Sequence, residues 1–258
     1  MLLSTRIARG VVSSSSPFPL SPLSFRSVPA VYAIGLNFNS HAREVGLDNN
    51  TSNPQNPVVI MKSPHSVVTA GGGSHNDMNQ RVEIKIPKFL QIKPEVDYEG
   101  ELAVVIGKRG KNISATNAHE YVSGITCAVD VTARRWQGKK GGGQWSYSKS
   151  FDTFCPLGPY LAEVSDLSAI SRLVLSTKLN GSVVQEAKLS DMIVDVPNLI
   201  AFLSRGTTLE AGTVVLCGTP AGVGYRRDPP YFLRDGDTVD VSITNIGTLR
   251  TVVRNDVE

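Results

Sequence analysis

Three acids stand where acids are costly. Glu99 and Glu101 open the apolar run Leu102, Ala103, Val104, Val105 and Ile106, and Asp130 closes the run GITCAVD. Side chains two apart on a strand share a face, so Glu99 and Glu101 would project together. Two like charges on a half-buried surface repel and lose hydration, and a divalent cation between them answers that cost. A third carboxylate at a strand end suits a hard cation. No His or Cys accompanies the three in sequence, which favours Mg²⁺ or Mn²⁺ over Zn²⁺ and leaves coordination positions open for water or substrate. Two plainer readings stand beside this one: acids solvated at an exposed strand start, and a structural Ca²⁺ site.

Strands must position these residues. EGELAVVIG and GITCAVD read as buried strands, VYAIGL and VVIMK as two more, and VEIKI alternates as a half-buried strand does. Asn180-Gly181 between two apolar runs is a hairpin signal. TVVLC, TVDVSI and LRTVV add further strands. Helices are few: a brief one in NFNSHAREVGL, one over ISATNAHEYVSG with Ser114 as its N-cap, and an amphipathic one in VDVPNLIAFLSRG ended by Gly206. Ser66 to Gln80, with its triple glycine, reads as a flexible excursion, and KKGGGQWSYSKSFDTFCPLGP as an irregular loop over a site. Many short strands with few helices predict a mostly β (α+β) domain and exclude alternating βαβ units.

Taken together, EVDYEGELAVVIGK, ITCAVDVTAR, QWSYSKSFDTFCPLGP, LNGSVVQE and LCGTPAGVG resemble, in order and spacing, the motifs of the fumarylacetoacetate hydrolase family. The resemblance runs from about Ala33 to the C-terminus. It implies a mixed β-sandwich roll with short peripheral helices, usually a homodimer, in which Glu99, Glu101 and Asp130 bind Mg²⁺. It also implies that His41 and Glu44, in GLNFNSHAREVG, form a dyad on a short helix over the substrate. At a spacing of three they face one side of a helical turn, with Glu44 placed to orient the imidazole that accepts a proton. Lys149 in YSKSFD corresponds to a lysine beside the metal, where a fixed cation stabilises an enolate or oxyanion. Arg134 and Gln144 correspond to positions near the substrate pocket, and Thr219 to a loop that contacts the substrate carboxylate.

The chain also departs from the family pattern. Arg135 stands where an acid often follows the arginine of TAR, so a local ion pair must be rearranged. Phe38 replaces a frequent Tyr. The stretch from Val67 to Gln80 is longer than usual.

The activity implied is Mg²⁺-dependent hydrolysis of a C–C bond in a small acylpyruvate, such as acetylpyruvate or fumarylpyruvate, through an enolate. The same site would serve an oxaloacetate decarboxylase or a tautomerase, and a non-catalytic metabolite-binding module is the reading from another class. No organic cofactor is expected. GTPAGVG follows a strand, but YRRDPPYF cannot open the helix that a dinucleotide site needs.

Bulk properties narrow the partners. The 258 residues carry 26 basic and 23 acidic side chains, interspersed beyond the first thirty, which argues against nucleic acid. No apolar run is long enough to cross a bilayer. Cys127, Cys155 and Cys217 are odd in number, far apart and set in apolar stretches, so they read as buried thiols. The opening segment 1–30 has Arg6, Arg9, Arg26, many serines and no acid, and Leu2, Leu3, Ile7 and Val11 or Val12 could share a helical face. This predicts a disordered organelle transit segment, mitochondrial in first place, with a plastid leader or an unprocessed tail on a cytoplasmic protein as alternatives. The catalytic domain is expected at 31–258.

Overall fold

Gly100–Ile106 is buried along its whole length, and its alternation shows how. Leu102, Val104 and Ile106 enter one apolar cluster, while Ala103 and Val105 enter a second on the opposite face. A strand covered on both faces belongs inside a layered fold. In the computed structural model, which describes residues 16, 18–23, 27–47, 56–69 and 80–257, it lies in the middle of a large mixed sheet. The order is Leu20–Pro22, Cys155–Ala162, Val122–Val129, Gly100–Ile106, Val214–Leu216, Val31–Gly35 and Val58–Lys62. Val67–Thr69 adds to Cys155–Ala162 in parallel.

One face of this sheet packs on a second, five-stranded sheet ordered Ser182–Lys188, Val174–Leu179, Thr238–Ile243, Gly247–Asn255 and Val82–Ile86. Leu102, Val104, Ile125, Leu175, Val241 and Val253 fill the space between them. Each such side chain contributes about 1.5–3 kcal/mol on burial. This is the mostly β sandwich expected, with short helices at its edge. At the hairpin, Asn180 and Gly181 take φ of 50° and 84°, the left-handed pair that a two-residue turn with the strands' own twist requires. Helix Val196–Leu203 is capped by Asp195 and buries Val196, Leu199, Ile200 and Leu203. Among the described residues, no helix is long and apolar enough to cross a membrane.

Four expectations change. Leu20–Pro22 forms an edge strand against Tyr160–Ala162, and Leu23 is buried, so ordered chain begins ahead of Val31. Composition concealed this because a short edge strand can pair through its backbone whatever its side chains are. Ala115–Tyr121 is a 3₁₀ helix, still capped by Ser114. The stretch after Ser66 opens with the strand Val67–Thr69, whereas its glycines lie outside the described residues. The glycine-rich central loop, which follows helix Arg134–Gln137, contains the 3₁₀ turn Lys139–Gly141 and helix Trp145–Ser148, then leads into strand Cys155–Ala162. Pro159 is accommodated there because the pairing with Val122–Val129 shifts register between Gly158 and Ala162. The polar loop at 48–55 and the apolar helical face expected at the N-terminus also lie outside the described residues.

Candidate active site and metal centre

Alternation that sends Ala103 and Val105 to one face of the large sheet sends Glu101 there as well. Antiparallel pairing sets Gly100 opposite Val129 and Glu101 opposite Ala128, and the ladder ends with the Asp130 amide donating to the Glu99 carbonyl at 2.8 Å. The three acids are therefore gathered at the end of two neighbouring strands. One oxygen from each of Glu99, Glu101 and Asp130 lies within 4.8 Å of the others, and all three are buried.

Cations surround two of the three. Lys149, buried at the end of helix Trp145–Ser148, donates to Glu99 Oε2 at 2.7 Å, Asp130 Oδ2 at 2.6 Å and Thr132 Oγ1 at 2.7 Å. Lys62, at the end of strand Val58–Lys62, donates to Asp130 Oδ1 at 2.5 Å and to the Phe154 carbonyl at 3.0 Å. Arg134 reaches Glu99 Oε1 and Asp97 Oδ2, each at 2.7 Å. Burial pushes Glu99 up, but Lys149 and Arg134 outweigh it and hold this carboxyl at about 2. Burial lowers Lys149, and Asp130 and Glu99 reverse that and raise it.

Glu101 differs. It accepts from the Gly218 amide at 2.7 Å and has no lysine or arginine partner among the described residues. Burial first, then the Asp130 and Glu99 carboxylates, push it well above the ordinary carboxylate range. Among the described residues, the ion-pair partners of Asp97, Glu99 and Asp130 are Lys62, Lys149 and Arg134, so an ionised Glu101 would be the one negative charge left over. A divalent cation shared by three oxygen ligands removes the excess and relieves the repulsion on Glu101, so the residues present fit such an ion.

Across the same cavity lies helix Asn39–Glu44. His41 Nδ1 and Glu44 Oε2 are 2.7 Å apart, and Glu44 Oε1 accepts from the Gly222 amide at 2.8 Å. An ionised carboxylate only accepts, so Nδ1 carries the hydrogen and Nε2 is left as the basic nitrogen. Gly222 has φ of 106° and its backbone passes so close to the Val184 carbonyl that a Cβ would overlap it, so only glycine brings this amide to Glu44. The cavity is small, about 50 Å³, and His41, Glu99, Glu101, Asp130, Lys149 and Thr219 all line it.

Eight of the nine residues singled out from sequence gather around this site, seven on the cavity lining, Arg134 among them, and Glu44 holding His41 from behind. Gln144 does not. It is exposed, its amide donates to the Gly141 carbonyl at 2.8 Å, and it precedes the helix that delivers Lys149. Gln137 lines the cavity instead, its oxygen accepting from Arg134 at 2.9 Å. One turn of helix after Arg134 was the signal for it. Thr219 lines the cavity, but its hydroxyl donates to the Gly100 carbonyl at 2.9 Å and accepts from Gln185 at 2.8 Å. Its hydroxyl hydrogen is thus already committed.

Sequence reading also missed Lys62, Trp145 and Tyr225, since no spacing ties them to the acids. Arg135 pairs with Glu95 at 3.4 Å, the rearrangement its odd identity required. Phe38 is fully buried, a place where a hydroxyl would need a partner. The three cysteines are buried and free.

Known proteins resemble this chain over most of its length. The family model described as fumarylacetoacetate (FAA) hydrolase C-terminal matches residues 30–254. An oxaloacetate tautomerase of Bacillus subtilis is 43% identical over 219 residues, 85% of this chain and 67% of that protein. A mitochondrial oxaloacetate tautomerase of Homo sapiens is 38% identical over 248 residues, 94% and 74% of the two chains. The crystal structure of 5-carboxymethyl-2-hydroxymuconate delta-isomerase from Mycobacterium smegmatis superposes with a TM-score of 0.72 at 35% identity, covering 90% of this chain and 80% of that one.

Proposed function

Because the chain belongs to the fumarylacetoacetate hydrolase family, we propose that it is a divalent-metal-dependent tautomerase that interconverts the enol and keto forms of oxaloacetate. The observation that carries this reading is the pairing of a proton-carrying dyad, His41 and Glu44, with a carboxylate triad across one small cavity. The relatives named above support it, being two oxaloacetate tautomerases and an isomerase. Proton transfer thereby takes the place of the C–C hydrolysis that the sequence reading put first.

A divalent cation held by Glu99, Glu101 and Asp130, Mg²⁺ or Mn²⁺, would supply Lewis-acid polarisation of the keto oxygen. The residues do the rest. His41 Nε2 takes the proton from C3 of the keto acid, the electrons of that C–H bond form the C2–C3 double bond, and the carbonyl pair moves onto the C2 oxygen. The His41 imidazolium then gives that proton to the C2 oxygen, which restores the neutral imidazole, and the return path reverses each transfer. Glu44 stabilises the imidazolium that forms, and Lys149 stabilises the oxyanion. No carbon–carbon bond breaks.

The test follows enol-oxaloacetate absorbance with Mg²⁺ and with chelator. Faster decay than in buffer, without CO₂ release, supports the assignment. CO₂ release at the same rate would make it a decarboxylase, and two acids from acetylpyruvate would make it the hydrolase. We place it in mitochondria, in line with the human relative and the basic N-terminal segment, and expect a homodimer. Import of a fluorescent fusion and light scattering check these.

A further inference from the structure

Tyr225 lines the cavity together with Glu99, Glu101 and Asp130. Two guanidiniums lie over its ring, Arg134 at 4.2 Å and Arg226 at 5.1 Å from the centroid. Its backbone is pinned, the amide donating to Asp97 Oδ2 at 3.1 Å. Its hydroxyl has no hydrogen-bond partner among the described residues.

The cations nearby are mostly spent. Lys62 and Lys149 are committed to Asp130, and Lys149 and Arg134 to Glu99. Arg226 is the exception, exposed and without a carboxylate partner among the described residues. It reaches the Val45 carbonyl, next to the helix that carries His41, at 3.5 Å. Thr219 has already given its hydroxyl hydrogen to Gly100. Gln137 lines the cavity without a charge of its own.

Oxaloacetate brings two negative charges. One carboxylate and the keto oxygen must face the triad for a divalent cation to hold them, and the other carboxylate then needs a donor that is not already in use. We propose that Tyr225, backed by Arg226, is a specificity-determining residue that receives the distal carboxylate of a four-carbon keto dicarboxylate. This rests on the tautomerase reading for its substrate, and on the cavity geometry for its residues. A hydroxyl offered to a carboxylate forms a charge-assisted hydrogen bond, and a cation over the ring adds long-range attraction for an anion.

Tyr225→Phe removes the hydroxyl and keeps the ring. With the Mg²⁺-loaded chain, KM for oxaloacetate should rise at least about tenfold while kcat stays within about twofold. Inhibition by oxalate, whose adjacent carboxylates span only the chelating oxygens, should change by less than about twofold, and thermal unfolding should match wild type. Arg226→Gln should raise the same KM by a smaller factor and flatten its dependence on salt. An unchanged KM in Tyr225→Phe, or an equal weakening of oxalate and oxaloacetate, overturns the proposal. If wild type turns over no oxaloacetate, the tautomerase reading fails, and Tyr225 is then judged by equilibrium binding. The ratio of oxaloacetate to oxalate affinity must still fall about tenfold in Tyr225→Phe, and a constant ratio rejects the role.

Discussion

Lys62 Nζ holds Asp130 Oδ1 at 2.5 Å, while Lys149 holds the other oxygen of the same carboxylate at 2.6 Å. Asp130 is thus gripped from two elements, strand Val58–Lys62 and the end of helix Trp145–Ser148. Breaking a buried pair by removing one member costs about 3–5 kcal/mol, because the remaining charge is left without its partner. Lys62→Met should therefore lower the melting temperature in chelator, and saturating Mg²⁺ should recover part of the loss by taking up the freed oxygen. Identical melts of variant and wild type in chelator would show that Lys62 carries no structural weight.

Asp130→Asn tests the metal centre itself. Outer-shell substitutions cost roughly 10- to 100-fold in metal affinity, and loss of a ligand charge should exceed that. Affinity by calorimetric titration and turnover should fall together. Full activity of wild type in chelator would end the metal assignment.

The triad was legible because strand alternation puts Glu99 and Glu101 on one face and because an acid ending an apolar run is costly, both properties of neighbours in sequence. Lys62 was not legible. It lies 68 residues from Asp130 and ends an apolar strand much as any solvated lysine might. The dyad was legible at helical spacing, yet the Gly222 amide that fixes Glu44 is 178 residues away and depends on a left-handed backbone. Gln144 misled because one residue's place in a glycine-rich segment is set by turns, and the short helix Arg134–Gln137 put Gln137 in the cavity instead. Local periodicity gave the strands, whereas the order of strands in the sheets follows from packing between distant segments.

His41 and Glu44 should act on turnover and leave the metal alone. A positioned general base contributes roughly 100- to 10,000-fold, so His41→Ala should reduce kcat within that range with Mg²⁺ affinity little changed. Glu44→Gln should cost nearly as much, because with Gly222 still holding the amide oxygen its NH2 faces Nδ1, which puts the imidazole hydrogen on Nε2 and removes the base. Full-rate tautomerisation by His41→Ala would show that another group moves the proton.

Acidity should act on Glu101 with a definite sign. Its folded pKa lies well above its ordinary 4.5, so its ionised form costs stability, and in chelator that cost disappears as pH falls from the folded value towards 4.5. Glu99, held at about 2, contributes stability above its ordinary 4.5 that is lost only between 4.5 and about 2, outside this window. Metal binding needs ionised Glu101, so Mg²⁺ affinity should fall over the range in which the metal-free chain gains stability. Glu101→Gln should remove its share of both slopes. Slopes that persist unchanged in that variant would assign them to another group.

The boundary of the folded unit can be tested at Leu23. Its side chain is 5% exposed, its amide donates to the Pro159 carbonyl at 3.0 Å, and it packs in the apolar cluster with Val31, Ala33 and Leu157. Leu20 and Phe18 pack against the other cluster, between the sheets. Removing a buried leucine's methyl groups costs about 2–5 kcal/mol, transfer and cavity together. Leu23→Ala should therefore lower the melting temperature of the full chain by several degrees. A residue in a removable leader would show no such effect. If the segment also directs import, the mature protein recovered from mitochondria should retain Leu20–Pro22, since cleavage beyond it would expose the edge of Cys155–Ala162. A neutral Leu23→Ala, together with a mature N-terminus beyond Leu23, would instead return the boundary to Val31.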